Sequence, residues 1–390
     1  MTFGEKLRQL MAERGTSLRK LAKEVPVDQG HLSRIANDHR APSVDLAQRL
    51  DKLLHAGGEL AALKPSSPLT ATDRDLIDMM QRAEASDLGP AALEMIDVAV
   101  DRLCRDYPSV SPDQLCMRGK THMERLLRLL DGRTTLAEHR ELLVRTGWLA
   151  ALLACAFYDD GEQAAAEMAR RMARRMGEQA GHGELIGWSW EIAAWFALVE
   201  RRYDDVVAYS EAGVRHAGVS NAAVQLTLQA GRGYARMGDQ RAAEALRVGR
   251  KILDQLPRPD HPEHHFVFDH DKYEFYCSTI YTMLGQDDAA REHANEVITQ
   301  CRQSDGSVRW PMRYAMANLD LALVAGRHGQ LDGALTYGRA ALAPARRSGD
   351  LLPRAAELHG LLAERFAGEA AVAEFAEQLH HERRALPPGG

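Results

Sequence analysis

Apolar residues recur at helical spacing along most of the chain. Near the N-terminus, Phe3, Leu7, Leu10 and Met11 share one face of a predicted first helix, which ends at Gly15. Further on, roughly fifteen segments of about ten to twenty residues are separated by short turns such as DDG, MGD, LGQ and HGQ. No segment alternates apolar and polar residues as a strand would. The pattern therefore predicts an all-α protein.

A proline-containing break divides the chain into two predicted domains. The stretch LKPSSPLTATD, residues 63–73, has two prolines and a Ser/Thr cluster that cannot continue a helix. We predict an N-terminal domain over residues 1–62, a linker over 63–73 and a C-terminal domain over 74–390. A chain of 390 residues is long enough for such domains to have substantial cores.

Two more predicted helices follow the first in the N-terminal domain. Thr16 or Ser17 can cap the second helix, and Asp28 can cap the third. The third helix would bury Leu32 and Ile35 and keep polar side chains on its other faces. Two helices joined by a short turn, with a polar front on the later one, are typical of the helix-turn-helix.

The stretch SLRKLAKEVPVDQGHLSRIANDHRAPS, residues 17–43, resembles the XRE, or lambda-repressor-type, helix-turn-helix family. The LSRI core, the N-x-x-R-x-P-S exit and the following DLAQRLDKLL helix carry this resemblance, which covers residues 3–62. It implies a five-helix domain that places the start of the third helix in the major groove of double-stranded DNA. The DNA-binding residues that the resemblance implies are Ser17, Arg19, Lys20, Gln29, Gly30, His31, Ser33, Arg34, Asn37, His39 and Arg40.

Three residues depart from the usual pattern of that family. Leu18 stands where a phosphate-contacting Gln is frequent, Pro26 where a turn glycine with positive φ is common, and Gly30 offers no side chain to a base. We therefore expect an extended turn, sparse base readout and a homodimer that engages an inverted-repeat operator. The alternative is a helical bundle for dimerisation or partner binding whose charges form a solvated face.

The distribution of charge agrees with a DNA-binding N-terminus. The chain has 49 Lys+Arg and 55 Asp+Glu, so as a whole it is acidic. Residues 1–64 hold 11 Lys+Arg and 8 Asp+Glu, which gives this segment a net charge of +3 and the rest of the chain −9. The acidity thus belongs to the C-terminal domain, which need not touch DNA.

The C-terminal domain shows a loose internal repeat. Turns at Arg202, Gly238, Gly285 and Gly329 are 36, 47 and 44 residues apart, in the range of helix-pair solenoids. The region from about residue 134 to 385 resembles a degenerate tetratricopeptide (TPR) array, with a non-repetitive helical bundle as the alternative. The small residues expected to let paired helices approach after three of these turns are Ala243, Ala289 and Ala334.

The whole architecture resembles peptide-pheromone sensors of Gram-positive bacteria and, more closely in HLSRI and GGELAAL, XRE regulators of actinobacteria. This resemblance implies a transcriptional regulator whose solenoid groove holds a peptide or small-molecule effector. The candidate ligand-binding residues are Trp188 and Trp195, two helical turns apart, and Arg313, Tyr314 and Asn318. Burial in the core is the alternative for the tryptophans, and a solvated position is the alternative for Asn318.

Four histidines and five acidic residues crowd residues 260–276, DHPEHHFVFDHDKYEFY. Pro262 interrupts any simple i, i+4 pair among His261, His264, His265 and His270. We therefore predict a loop, either solvated or covering the groove, and no metal site.

Composition and missing motifs narrow the function classes. The five cysteines are odd in number, widely spaced and without C-x-x-C, which favours a reducing, cytoplasmic setting. We find no apolar run near 18 residues, no G-x-x-x-x-G-K-[ST] and no G-x-S-x-G, and expect neither membrane insertion, a cofactor nor catalysis. The alternatives to a regulator are a protein-interaction scaffold and an antitoxin-like autorepressor with weak DNA binding.

Overall fold

The computed structural model describes residues 1–63, 79–80, 86–88, 90–344 and 349–384. Within these ranges every extended element is a helix, and the one β-bridge joins Arg302 to Val308. The chain divides into two compact units, Met1–Ala83 and Glu84–Gly390. The predicted all-α class is thus confirmed. Apart from Leu63, the predicted linker over residues 63–73 lies outside the described residues.

Side-chain caps set the helix starts of the first unit. Ser17 Oγ accepts the backbone N–H of Lys20 at 3.3 Å, and Asp28 Oδ1 accepts that of His31 at 3.0 Å. Each cap pairs an N–H that has no partner within its helix, which explains why both starts could be predicted. The helices of this unit are α1 (Phe3–Glu13), α2 (Leu18–Glu24), α3 (Gln29–Ala36), α4 (Val44–Leu53) and α5 (Glu59–Ala62).

A buried carboxylate joins α4 to α5. Asp51 is 8% exposed, and its two oxygens accept the backbone N–H groups of Gly58, Leu60 and Ala61 at 2.8, 2.8 and 2.9 Å. Burial by itself raises the pKa of Asp51, but the three hydrogen bonds outweigh it and hold this pKa below its ordinary value. Asp51 therefore fixes the start of the short α5.

The second unit consists of helices that pack in two layers. Helices α8, α10, α12, α14, α16 and α18 each pack on the next but one, which makes them an inner layer, while the helices between them lie outside. This is the predicted helical-repeat-like arrangement. The described helices are α6 (Pro90–Asp106), α7 (Pro112–Leu130), α8 (Leu136–Asp159), α9 (Gln163–Ala180), α10 (Gly183–Val199), α11 (Tyr203–Ala217), α12 (Asn221–Arg236), α13 (Arg241–Leu253), α14 (His270–Leu284), α15 (Asp287–Cys301), α16 (Pro311–Arg327), α17 (Leu331–Leu342), α18 (Leu351–Arg365) and α19 (Ala370–Arg384).

The turns between inner and outer helices share a left-handed residue. Gly238, Gly285 and Gly329 have φ of 70°, 72° and 74°, as predicted for tight helix ends. The fourth turn uses Arg201, with φ of 62°, so it lies one residue before the predicted Arg202.

The helix after each of the three glycine turns buries an alanine against its neighbours. Two of the three alanines predicted for this role are the wrong ones. Ala334 is completely buried, as expected. Ala243 is exposed and Ala289 is half-buried, while their neighbours Ala242 and Ala290 are completely buried. One residue rotates a helix by about 100°, so an error of one position in the register moves a side chain off the packed face.

One inner helix is more apolar than the sequence analysis anticipated. By length and composition alone, α8 could cross a membrane, and within the described ranges it is the one helix that meets both criteria. Of the 18-residue apolar stretch within α8, 72% is buried inside the second unit. Burial of this kind also characterises the core helix of a soluble protein, so the feature is weak evidence for a membrane span.

Candidate nucleic-acid interface and ligand cavity

The α2–α3 pair exposes the polar side chains of the predicted DNA-binding face. α3 packs on both α1 and α2, with Leu32 and Ile35 buried. That anchoring leaves Gln29 and Arg34 exposed on the other side of α3. All eleven residues implied by the family resemblance are exposed or half-buried, so each could be reached by a partner.

Four cations in this region have no acidic partner. Arg19, Lys20, Arg34 and Arg40 are exposed, and among the described residues no carboxylate lies within 4.0 Å of their charged nitrogens. In contrast, Arg49 on α4 pairs with Asp45 at 2.8 Å. Unpaired cations are free to bind phosphate oxygens, which are the commonest protein contacts on DNA.

The turn between α2 and α3 avoids the left-handed region. Val25, before Pro26, is extended with φ −101° and ψ 113°, and no residue from 16 to 37 has a positive φ. Leu18 is half-buried against the core of the unit. A Cβ on Gly30 would lie 3.0 Å from Asp28 Oδ1, so a side chain there would press on the cap of α3.

The loop after α3 is held against α1. Thr2 Oγ1 donates to Asp38 Oδ2 at 2.5 Å, the Gly4 N–H donates to Asp38 Oδ1 at 2.8 Å, and Arg8 donates to the Ala36 carbonyl. The Thr2 bond is the main cause of a lowered Asp38 pKa, so this carboxylate stays ionised at neutral pH. The loop that carries the predicted Asn37, His39 and Arg40 is thereby fixed.

The inner layer of the second unit encloses a partly open cavity of about 160 Å³. Inner helices α8, α10, α12, α14 and α16 all contribute to its wall, so it occupies the position of a solenoid groove. The lining residues are Tyr107, Pro108, Cys155, Glu191, Trp195, Gln225, Gln229, Arg232, Pro262, Glu263, His264, His265, Lys272, Phe275, Tyr276, Trp310, Met312, Arg313, Met316 and Asp350.

The histidine-rich loop before α14 lies across this inner layer. The His265 N–H donates to the Cys104 carbonyl at 3.1 Å, and the buried Phe266 packs against Trp148 and Trp188 with ring centroids 5.1 and 5.2 Å apart. The loop therefore supplies one side of the cavity through residues such as His264. Burial lowers the pKa of His264.

The histidines of residues 260–276 are dispersed among separate partners, and the predicted loop ends at Asp269 because His270 begins α14. His261 contacts Glu263 at 3.1 Å, and His270 lies 3.7 Å from Asp254. Within the part of the chain that the structure describes, no three His, Cys, Asp or Glu residues are placed to hold a metal ion.

Two of the five predicted ligand-binding residues line the cavity, namely Trp195 and Arg313. Trp188 does not, because its side chain is completely buried in the core against Phe266. The prediction of a groove contact for Trp188 is thus corrected to a core position.

Asn318 and Tyr314 also lie outside the cavity wall. Asn318 is 3% exposed and its Nδ2 donates to the Tyr314 carbonyl at 2.8 Å, one helical turn earlier. The Tyr314 ring faces the Arg302 guanidinium. Asn318 is thus corrected to a buried position where its amide stabilises its own helix, while the ligand role of the half-buried Tyr314 stays a prediction.

A polar stripe on α12 was missed by the sequence analysis. Gln225, Gln229 and Arg232 are buried and follow i, i+4, i+7 spacing, which puts them on one face. Gln225 Nε2 donates to Glu191 Oε1 at 2.9 Å, and Arg232 Nη2 pairs with Asp350 Oδ2 at 3.0 Å. The sequence did contain a signal for this stripe, because polar residues recur at helical spacing on one face of an otherwise apolar helix.

Lys272 was also missed, although it is the most perturbed cation of the cavity. Its Nζ donates to the carbonyls of Val267 at 3.3 Å and His265 at 3.5 Å. Burial, and then the neighbouring Arg313 guanidinium, lower the Lys272 pKa to about 8. Burial raises the pKa of nearby Glu191.

Comparison with known proteins identifies only the first unit. A family model described as a helix-turn-helix domain matches residues 2–63. No curated protein and no solved structure matches the chain. The match and the α2–α3 geometry agree, so the N-terminal unit is a helix-turn-helix DNA-binding domain of the XRE-like type.

Proposed function

We propose that this chain is a cytoplasmic, ligand-responsive transcriptional regulator of the XRE–TPR type found in actinobacteria. The helix-turn-helix carries the proposal, because four exposed cations around α2 and α3 lack acidic partners among the described residues. The second unit would hold an effector and join two copies of the chain. We assign no catalytic step to either unit.

Energetics favour a homodimer on an inverted repeat. One module with a handful of phosphate contacts binds weakly at physiological salt, and each neutralised phosphate contributes about 0.9 to the slope of log K against log salt. Two modules held one helical turn of DNA apart would roughly double that slope and multiply the affinity.

The cavity supports effector binding. Its wall combines aromatic rings with charged and amide groups that are themselves buried, which is typical of small-molecule sites. An effector can shift the regulator only if it binds two arrangements of the dimer with different affinity. We propose that binding in the cavity alters the spacing of the two DNA-binding units.

The test uses the full chain and duplexes selected from a random pool. We expect Arg34→Ala to weaken binding to the selected duplex by about 1–3 kcal/mol and to relax the sequence preference of the protein. The matched control is Arg49→Ala, since Arg49 is exposed but paired with Asp45. Light scattering should give the mass of a dimer.

A protein-interaction scaffold or an antitoxin-like autorepressor would behave differently in this assay. Salt-insensitive binding, or an Arg34→Ala variant indistinguishable from Arg49→Ala, would remove the regulator proposal in favour of the scaffold. A monomeric mass at the concentration where DNA binds would contradict the dimer.

A further inference from the structure

Two cavity amides carry polar atoms without partners. Gln225 is 7% exposed and Gln229 is completely buried. The Gln225 NH₂ must face the Glu191 carboxylate, and the Gln229 oxygen must face the Arg232 guanidinium, from which it accepts at 3.3 Å. These contacts fix both amide orientations. They leave Gln225 Oε1 as an acceptor and Gln229 Nε2 as a donor, each buried and without a hydrogen bond.

A third unpaired atom lies in the aromatic part of the wall. Trp310 is 5% exposed, and its Nε1–H has no acceptor. A buried donor or acceptor without a partner costs about 1–3 kcal/mol. Gln225, Gln229 and Trp310 all line the cavity, so a molecule that offers acceptors to Gln229 and Trp310 and a donor to Gln225 would satisfy these atoms after small side-chain shifts.

Lys272 is a cavity cation with no carboxylate in direct contact among the described residues, although Glu191 and Asp269 lie near enough to act on its charge. Arg232 pairs with Asp350 at 3.0 Å and Arg313 with Asp269 at 3.4 Å. Among the described residues, no carboxylate lies within 4.0 Å of Lys272 Nζ, and two backbone carbonyls take two of its three hydrogens. The Lys272 Nζ also lies 5.6 Å from the Trp188 ring centroid and 5.3 Å from that of Phe268, so its third hydrogen meets aromatic rings, which an acidic group from the cavity could replace as its partner.

The size and walls of the cavity restrict the rest of the molecule. An apolar cavity of about 150 Å³ holds one benzene ring, and this cavity measures about 160 Å³. Trp195, Phe275, Tyr276 and Trp310 supply aromatic surface for such a ring. The volume therefore matches a single ring, and a peptide of several residues would have to extend through the open side of the cavity.

We propose that the cavity binds a small single-ring aromatic carboxylate that also carries a hydroxyl or amino group. This inference rests on the proposed effector role of the cavity. The carboxylate binds Lys272 and the free Gln229 NH₂, the ring packs on the aromatic wall, and the hydroxyl or amino group donates to Gln225.

The probes are 4-hydroxybenzoate and 4-aminobenzoate, titrated calorimetrically into the full chain. Their controls each lack one feature: methyl 4-hydroxybenzoate lacks the charge, benzoate lacks the donor and 4-hydroxycyclohexanecarboxylate lacks the aromatic ring. We expect each control to bind about 10-fold or more weakly than the matching acid, and the methyl ester to lose most, because hydrogen bonds to charged groups are the strongest.

Lys272→Met provides a readout that a structural defect would not give. We expect this variant to bind the acid about 10- to 100-fold more weakly and to bind the methyl ester with unchanged affinity. The control is Lys251→Met, since Lys251 is exposed on α13 outside the cavity. Gln229→Leu should weaken the acid less, with the melting temperature checking that each variant folds.

Equal affinities for acid and ester, or equal losses of both in Lys272→Met, would overturn the assignment. A mixed pool of short peptides and neutral metabolites separates this failure from that of the proposed function. If only members of that pool stabilise the chain and alter its DNA affinity, the aromatic acid is wrong and effector sensing stands. If neither set of compounds alters DNA affinity, effector sensing fails, whereas binding of the aromatic acid stands or falls on the calorimetric comparison with the ester and with Lys272→Met.

Discussion

The buried ion pair between α16 and α18 offers the sharpest test of how the second unit is held together. Asp320 is 0% exposed and Arg354 3%, and Arg354 Nη2 lies 2.6 Å from Asp320 Oδ1. The other carboxylate oxygen accepts the hydroxyls of Ser278 at 2.6 Å and Thr279 at 3.2 Å, both on α14. One carboxylate thus joins three inner helices.

The perturbation is a double-mutant cycle with Asp320→Leu and Arg354→Met. Removing one partner of a buried pair costs about 3–5 kcal/mol, because the other charge is left without compensation. Arg354→Met should cost about 3 kcal/mol, since Asp320 keeps two hydroxyl donors. Asp320→Leu should cost about 5 kcal/mol, since it strands both the guanidinium and the hydroxyls.

The double variant should cost less than Asp320→Leu alone. Replacing both charges by apolar groups removes the stranded ion, so only the two hydroxyls remain without their acceptor, at about 1 kcal/mol each. Arg354 Nε and Nη1 already lack partners, so the wild-type pair is incompletely satisfied. We therefore expect a total near 2 kcal/mol, against about 8 kcal/mol for the two single losses added together.

Tryptophan fluorescence during urea unfolding reports this cycle selectively. All five tryptophans lie between residues 148 and 310, within the second unit. With a slope of about 3 kcal/mol/M, a loss of 3 kcal/mol moves the midpoint by about 1 M. Additive losses, within about 0.5 kcal/mol, would refute the coupling between the two side chains.

Three further predictions concern single sites. Asp51→Asn removes a charge that accepts three N–H groups, so the amides of α5 should exchange about tenfold faster; unchanged exchange would show that the carboxylate is dispensable. Burial lowers the Lys272 pKa to about 8 from its ordinary value of 10.5, so folding stability rises with pH between these values, by at most about 1.4 kcal/mol per pH unit. Lys272→Met should lack this increase, so the wild type gains stability relative to the variant between pH 8 and 10.5, as urea midpoints from pH 7 to 10.5 would show; parallel curves would contradict it. Arg201→Gly should stabilise by about 0.5–1 kcal/mol, because Arg201 has φ 62° and its ion pair with Glu357 is long and exposed; a lower melting temperature would mean the contact outweighs the backbone strain.

Local chemistry decided which features of the first unit could be predicted. Ser17 and Asp28 are short polar residues directly before apolar-periodic segments, so they identify helix starts with no knowledge of tertiary structure. Asp51 gave no such signal, since the N–H groups it binds lie seven to ten residues later. Which buried carboxylate meets which backbone depends on the fold.

In the second unit, the sequence predicted the helices more accurately than the residues that line the cavity. Trp188 and Trp195 share a helix face by their spacing, yet one is core and the other lines the cavity, because α10 packs on several neighbours at once. Lys272 lies within the histidine-rich stretch that was predicted to be a loop, but it belongs to the first turn of α14, where the Asp269 cap accepts its N–H, and its Nζ reaches back to loop carbonyls. Such contacts between distant segments leave no periodic pattern.

The long-range bonds of the second unit bear on how it folds. Repeat proteins whose units contact only neighbours can unfold from one end, segment by segment. Here the Gly349 N–H donates to Asp159 Oδ1 at 2.8 Å across 190 residues, and Arg232 reaches Asp350 across 118. These contacts close the array on itself and raise its contact order. The unit should therefore fold slowly and cooperatively, and it should not tolerate removal of its last helices.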